Sequence, residues 1–159
     1  MLIDELGHNY YHLDFVRLDH REMADLRSRG VEDFSDMRGW RSVKISKQHF
    51  RSGEWGKDRC GSVVTTMVGR ISRYCVVDRF FTIEQKTYAL VTWLSVPTYP
   101  YAPNPLVVKV RFPRIGHTQP SRVLPVDHIV PTSVAVLPDD DGVHFWVMRE
   151  KGTDRTTFT

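Results

Sequence analysis

The sequence has few cysteines and no long apolar run, and these two absences exclude several classes of protein. Only Cys60 and Cys75 occur in 159 residues, too few for a disulfide framework, so a reducing compartment is favoured. No stretch approaches the ~20 apolar residues of a membrane-spanning helix, and the first residues lack the basic start and apolar middle of a secretory signal. We therefore expect neither a disulfide scaffold nor a membrane-spanning or secreted protein.

Sequence motifs of common enzymes are also missing. Residues 53–57 contain glycines and a lysine, but lack the length and the following helix of a phosphate-binding loop. Cys60 and Cys75 lie fifteen positions apart, whereas structural zinc ligands usually pair at spacings of about two to four residues. Cys75 instead has the alternating apolar neighbours of a small buried side chain. The sequence thus predicts no enzyme, no metal site and no cofactor.

What is present is the composition of an ordinary globular domain. Apolar residues make up 41% of the chain and charged residues 26%, which argues against a disordered or fibrous protein. Aromatic residues reach 11%, enough bulky side chains to fill a core. The length is close to the ~100–150 residues of a typical single domain.

Positive charge is concentrated in the middle of the chain, although the formal net charge is only +3. Residues 61–122 contain eight basic and two acidic side chains, whereas residues 1–60 balance to zero. Such a local excess can attract a polyanionic partner such as nucleic acid, and the alternative is a solvated surface that happens to be basic. Aromatic residues interleave with these charges, and flat rings can stack on bases or contact cations.

Hydrophobic periodicity divides the chain into a helical start and a β-rich remainder. Asp19 and Glu22 have the spacing of a capping box and Gly30 follows as a terminator, which predicts one helix between them. Strand patterns then occur at residues 43–47, 62–77, 88–96, 106–112, 123–130, 134–137 and 143–149. Residues 51–61 are predicted to form a loop, Gly69 a bulge in a long strand, and residues 138–142 a hairpin turn. Val108 and Val110 are predicted to face the core, and Lys109 and Arg111 the opposite side.

The strand patterns predict a mainly β fold, a small antiparallel barrel or sandwich with an N-terminal helical extension. The extension covers residues 1–39, the barrel domain residues 40–155, and a short tail residues 156–159. Five basic residues on or beside the strands form the candidate nucleic-acid-binding site: Arg70, Arg73, Lys109, Arg111 and Arg114. We expect them to converge on one exposed face and to bind phosphates with an affinity that falls as salt is added.

The strongest catalytic alternative is the segment that contains Asp127 and His128. An Asp-His pair followed by Ile, Val and Pro begins the ββα-metal nuclease motif, in which the histidine activates water near a bound metal. That motif also needs a helix with further ligands, whereas a strand pattern containing His144 follows here. The alternative predicts that Asp127, His128 and His144 meet within metal-ligand distance in an open cleft.

The order of the strand patterns resembles the core of bromo-adjacent-homology (BAH) and related SH3-like barrel domains. The resemblance rests on residues 69–74, 88–94, 106–110 and 124–131. In these domains a V-x-W step ends one strand, matched by residues 91–93, and a later vPvxxI segment closes the barrel, matched by residues 124–129. Residues 124–155 are also similar to the C-terminal regions of proteins encoded by fungal DNA transposons.

The resemblance implies a non-catalytic module of the nucleus that binds a histone tail, another chromatin protein or DNA. Readers of this kind often hold methyl-lysine in a cage of aromatic rings, and Trp93, Tyr99 and Tyr101 are the candidate ligand-binding residues. Such cages usually include an acidic residue, and residues 85–126 contain none, so a phosphate-facing surface fits the local charge better. A third possibility is a protein–protein interaction domain that docks through its N-terminal helix. The sequence does not define the oligomeric state.

Overall fold

The computed structural model describes residues 17–53, 62–98, 107–114, 120–131 and 134–149, together with the backbone of residues 2–3, 9–10 and 12–13. The N-terminal elements are β1 (Leu2–Ile3), β2 (Asn9–Tyr10), β3 (His12–Leu13) and helix α1 (His20–Ser28). The middle of the chain forms β4 (Arg38–Trp40), β5 (Ser42–Ile45), β6 (Gln48–Arg51), β7 (Val63–Val68), β8 (Ile71–Ile83) and β9 (Lys86–Trp93). The C-terminal elements are β10 (Val107–Arg111), β11 (Val123–Pro125), a 3-10 helix (Val126–His128), β12 (Ile129–Val130), β13 (Val134–Pro138) and β14 (His144–Arg149).

Helix α1 begins where its sequence signals predict. The Asp19 carboxylate accepts a hydrogen bond from the Glu22 backbone N–H at 2.8 Å, and the Glu22 carboxylate accepts from the Asp19 N–H at 3.0 Å. This reciprocal pair is the predicted capping box, and it satisfies two donors that the first turn leaves without partners. Gly30 follows the last turn with a φ of +96°, a conformation that glycine adopts at little cost.

A curled antiparallel sheet dominates the fold and forms a half-barrel. Its strands follow the order β11-β9-β8-β4-β3, and β7 pairs with β8 on one side and β12 on the other. Strand β8 pairs with β7 along its first half and with β4 along its second half, and a register shift between Val77 and Arg79 separates the two. A bulge at this point bends a long strand, so β8 can belong to both parts of the curve. The prediction of a mainly β, antiparallel, barrel-like fold with a helix near its N-terminus is confirmed.

The predicted bulge at Gly69 is wrong. Residues 62–77 form two strands instead of one, because β7 turns back into β8 at Gly69 and Arg70, with Val68 opposite Ile71. Gly69 has a φ of +64°, which a tight hairpin turn between antiparallel strands commonly requires. The irregularity that curves the sheet lies nine residues later, beside Asp78.

Two further boundaries differ from the sequence patterns. Lys47 does not continue β5, because Ser46 and Lys47 form a turn with φ values of 48° and 69°. The chain then returns as β6, which pairs with β5. The last residue of β6, Arg51, lies at the start of the predicted loop 51–61. The predicted strand at residues 123–130 is interrupted by the 3-10 helix, which places Asp127 and His128 on the surface.

A second antiparallel sheet of order β10-β14-β13 packs next to the first. Val108 and Val110 are buried and their neighbours along β10 are half-buried, so the predicted alternation is confirmed. Gly142, with a φ of +71°, lies in the turn between β13 and β14. Val108 and Val110 join Tyr74 and Leu94 of the first sheet in one buried cluster. The two sheets therefore share a core, and their junction lies beside the start of β8 and the end of β9.

Helix α1 packs on the same body. Leu26 is fully buried and contacts a cluster that includes Phe81, Ile83 and Tyr88 from strands β8 and β9. A third cluster of buried side chains includes Trp40, Phe80 and Trp93. In the described part of the chain no helix has the length and hydropathy required to cross a membrane.

Candidate functional site

Three of the five predicted basic residues line one cavity. Arg73 reaches it from β8, Arg111 from the end of β10, and Arg114 from the segment that follows β10. The cavity has a volume of about 440 Å³, within the ~300–1,000 Å³ of typical small-ligand pockets. We call this cavity the arginine pocket. It lies at the junction of the two sheets, because β8 belongs to one of them and β10 to the other.

The remaining wall of the arginine pocket is largely apolar and includes flat side chains. Trp93, Phe112, Pro113 and Pro120 contribute rings, and Val96 lies at the rim with 58% of its surface exposed. The Phe112 ring contacts the Phe145 ring edge-on, with centroids 4.9 Å apart and an interplanar angle of 82°. This contact fixes how Phe112 faces the pocket.

Trp93 lines the pocket and is only 6% exposed. Its indole Nε1 donates a hydrogen bond to the Ser121 backbone carbonyl at 2.8 Å, which satisfies the one polar atom of the ring. The Arg73 guanidinium lies over the indole, 5.8 Å from the ring centroid. An arginine of the same chain thus already covers a face of the ring by a cation–π contact.

Backbone carbonyls hold two of the three arginines in place. Arg73 Nη2 donates to the Leu94 carbonyl at 3.1 Å, and Arg111 Nε donates to the Phe112 carbonyl at 3.3 Å. Arg73 Nε is shielded from solvent and has no hydrogen-bond partner in the described part of the chain. Arg114 is exposed. Neutral carbonyls do not cancel a guanidinium charge, and within the described ranges none of the three arginines forms an ion pair with a carboxylate.

The other two predicted basic residues lie elsewhere. Lys109 Nζ forms an ion pair with Asp139 Oδ2 at 3.2 Å and lies 4.9 Å from the centroid of the Trp146 ring. Its charge is therefore largely compensated inside the second sheet. Arg70 is exposed at the turn between β7 and β8 and does not line the arginine pocket. Of the five residues, Arg73, Arg111 and Arg114 thus line the arginine pocket, and Lys109 and Arg70 do not.

The two tyrosines of the predicted aromatic cage lie outside the described residues. Tyr99 and Tyr101 follow Thr98, which is the last described residue before β10. Trp93 is the member of the predicted cage that the structure describes, and the cationic side chain of Arg73 lies over its ring.

The predicted catalytic trio does not assemble. Asp127 and His128 are exposed in the 3-10 helix, and within the described ranges the acidic and histidine side chains close enough to share a metal are Asp139, Asp141 and His144. Asp141 Oδ1 accepts the backbone N–H groups of Val143 and His144, both at 2.9 Å, and Asp141 Oδ2 pairs with His144 Nδ1 at 2.5 Å. These oxygens close the β13–β14 turn, so hydrogen bonding within the turn accounts for the cluster.

The hydrogen bonds in this turn affect the protonation of Asp141. The N–H groups of His144 and Val143 and the His144 side chain stabilise the charged carboxylate, so they lower the pKa of Asp141 well below its ordinary value.

The pKa of the Cys75 thiol is shifted in the opposite direction. Cys75 is fully buried, and burial raises the pKa of its thiol far above the ordinary range, so it lacks the thiolate character of a nucleophile or metal ligand. The prediction that Cys75 is a small buried side chain is confirmed.

Sequence analysis did not identify several residues that line the pocket, and it did not show that Arg122 forms ion pairs outside the pocket. Ser95, Val96 and Pro120 line the arginine pocket, although no motif marks them. Their only signal is proximity to Trp93 or to a proline-rich connection. Arg122, a basic residue of the same central segment, forms ion pairs with Glu22 and Asp78 instead.

Comparison with known protein families, curated proteins and solved structures finds no match to this chain.

Proposed function

We propose that this chain is a non-catalytic recognition domain that binds nucleic acid through the arginine pocket. The supporting observation is the set of guanidinium groups of Arg73, Arg111 and Arg114 around one concave site, with no carboxylate partner in the described part of the chain. A guanidinium presents a planar fork of N–H donors that matches the geometry of a phosphate, and it stays charged at every physiological pH.

The charge of the surrounding segment also supports an anionic ligand. Residues 85–126, which supply most of the pocket wall, contain no aspartate or glutamate. A methyl-lysine would meet repulsion from three arginines, and Arg73 already occupies a face of Trp93. The pocket therefore favours a phosphate over the cationic side chain of a histone tail. The resemblance to BAH domains extends the proposal to a role on chromatin in the nucleus.

The two alternatives have weaker support. A ββα-type nuclease centred on Asp127 and His128 would need metal ligands beside them, and among the residues that the structure describes none lies close enough to complete such a group. A protein-binding role for helix α1 would need an available apolar face, and Leu26, which carries much of that face, is fully buried against the sheet.

The test measures binding of the full chain to a short, fluorescently labelled single-stranded oligonucleotide by fluorescence anisotropy. If three arginines contact phosphates, raising the salt concentration from about 50 mM to about 200 mM should lower the affinity about 20-fold, because released counterions compete for the same charges. Arg114→Ala removes one exposed charge from the pocket. It should weaken binding and reduce the slope of log affinity against log salt by about 0.7.

Lys86→Ala is the matched control, since it also removes one exposed positive charge. Lys86 begins the strand that ends at Trp93, so the two lie about 23 Å apart along an extended chain. This variant should bind as the unmodified chain does. Absence of binding to this strand and to a duplex of the same length, affinity that is insensitive to salt, or equal losses in the two variants would contradict the proposal.

A further inference from the structure

We propose that the arginine pocket accepts one unstacked base of a single-stranded nucleic acid, while its arginines contact the adjacent phosphate. This inference rests on the proposed function and narrows its ligand from nucleic acid in general to a single strand. A duplex presents phosphates on a convex surface and keeps its bases stacked inside, whereas a single strand can turn a base outward into a cavity. The relevant feature of this site is that it is concave and lies between two sheets.

The lining suits a flat heterocycle. Phe112, Pro113 and Pro120 offer apolar ring surfaces, on which any base can pack because every base has a π-face. The orientation of Phe112 is fixed by its edge-on contact with Phe145. The Arg73 guanidinium, which already stacks over Trp93 at 5.8 Å, is a second kind of planar surface that stacks on bases.

A hydroxyl group in the wall can recognise the edge of a base. Ser95 Oγ accepts a hydrogen bond from the Arg111 backbone N–H at 3.0 Å. The hydroxyl proton is not used by that contact, and a hydroxyl donates as well as accepts. A carbonyl oxygen of a pyrimidine or guanine is a suitable acceptor, so Ser95 supplies polar contact beside otherwise apolar walls.

Two of the cations lie close together in the chain, on either side of the apolar residues Phe112 and Pro113. Arg111 ends β10, and Arg114 lies three residues further along the chain and is exposed. An exposed guanidinium next to a concave apolar site is placed to contact the phosphate that links an inserted base to its neighbours. The pocket thus combines base contact with backbone contact, the combination typical of sites for single strands.

The pocket is also preformed. Ser95 N donates to the Arg111 carbonyl at 2.9 Å, and Leu94 N donates to the Tyr74 carbonyl at 3.0 Å. Thr98 and Lys109 exchange two backbone hydrogen bonds, at 3.0 Å and 2.9 Å. These bonds tie the segment after β9 to both sheets, so little backbone conformational entropy is lost when a ligand enters.

The experiment compares three labelled probes of equal length with the full chain at one low salt concentration: an oligothymidine strand, an abasic strand with the same backbone, and a duplex. We expect the oligothymidine to bind at least about tenfold more tightly than the abasic strand, the effect of one stacked base. We expect the duplex to bind more weakly than the oligothymidine. Equal affinity for the two single strands, or tighter binding of the duplex, would overturn the base pocket while leaving the proposed nucleic-acid binding intact. No binding of any probe would refute both.

A pair of variants at Val96 locates the base. Val96 is 58% exposed at the rim, so a polar side chain there leaves the core unchanged. Val96→Glu places a negative charge beside the inserted base and its phosphate, and should lower oligothymidine affinity at least about tenfold. Val96→Gln has nearly the same size without the charge, so its loss of affinity should be at least about fivefold smaller than that of Val96→Glu. Unchanged binding by Val96→Glu would overturn the assignment of the base to this pocket.

Discussion

Replacing Arg122 by alanine tests how helix α1 is held on the sheet. Arg122 Nη1 donates to Glu22 Oε1 at 3.3 Å, Nη2 donates to Asp78 Oδ2 at 3.0 Å, and Nε donates to the Val91 carbonyl at 3.0 Å. All three guanidinium nitrogens are therefore used within the protein. The contacts join the first turn of α1 to strands β8 and β9, which are distant in sequence.

The size of the effect follows from the burial of the two carboxylates. The side chain of Glu22 is 4% exposed and that of Asp78 is 19% exposed, so alanine at position 122 removes the guanidinium from two shielded carboxylates, of which Asp78 keeps the hydrogen bond from the Thr92 hydroxyl. Loss of one partner of a buried ion pair costs ~3–5 kcal/mol. Arg122 itself is 41% exposed, and water that enters its place will solvate part of the charge. We therefore expect Arg122→Ala to lower the free energy of unfolding by about 3 kcal/mol, near the lower end of that range.

Urea unfolding followed by circular dichroism measures this change, and the melting temperature should fall by ~6–12 °C. Arg38→Ala is the control, because Arg38 pairs with Asp36 at the surface, with side-chain exposures of 54% and 79%. Its loss should cost less than about 0.5 kcal/mol. With Glu22→Gln, which keeps an acceptor for the capping box, the cost of Arg122→Ala should shrink by ~1–2 kcal/mol. Equal costs for the two arginine variants, or strict additivity with Glu22→Gln, would refute this account.

Two further changes test the hairpin turns. Gly69→Ala should lower the free energy of unfolding by ~1–2 kcal/mol, as measured in urea. Gly69 has a φ of +64°, and no atom lies within 4 Å of an added Cβ, so the cost comes from backbone strain and not from a clash. An unchanged unfolding midpoint would show that this strain is absent. The lowered pKa of Asp141 means that its contribution to stability is present above its ordinary pKa of about 3.9 and is lost as the pH falls toward the lowered value in the folded state. Asp141→Asn should therefore lose less stability than the unmodified chain between neutral pH and about pH 3, and the same acid sensitivity in both proteins would assign that loss to other carboxylates.

The features that sequence analysis predicted correctly are those with local physical causes. The capping box between Asp19 and Glu22 needs only three residues of separation and the geometry of one helical turn. The burial of Val108 and Val110 follows from the alternation of side chains along any strand with one buried face. In both cases neighbouring residues contain the whole signal.

Turns were predicted less well because one residue type serves several backbone conformations. Gly69 was interpreted as a bulge, and the structure uses it in a hairpin turn. Both need a glycine, and the choice between them depends on whether residues 63–68 pair with residues 71–76. Ser46 and Lys47 adopt positive φ without any glycine, so the turn between β5 and β6 had no marker in the sequence.

The candidate site depended on contacts between distant residues, and here composition was a partial guide. The sequence shows the excess of basic residues in the middle of the chain. It does not show which of these residues form ion pairs with carboxylates. Lys109 and Arg111 share one side of β10 in the sequence pattern. The register of β10 with β14, and of β14 with β13, brings Lys109 near Asp139, while Arg111 lines the arginine pocket with Arg73.

Local sequence patterns therefore predict the helix with its cap, the β-rich remainder, the inward and outward faces of β10, and the local surplus of positive charge. Three-dimensional packing establishes which arginines line one site, which cations find carboxylate partners, and that a cavity forms between the two sheets. The difference arises from the range of the interactions. Capping and side-chain alternation act within a few residues, whereas the meeting of Arg73 with Arg111 depends on strand order and register, which only the packing of the whole core establishes.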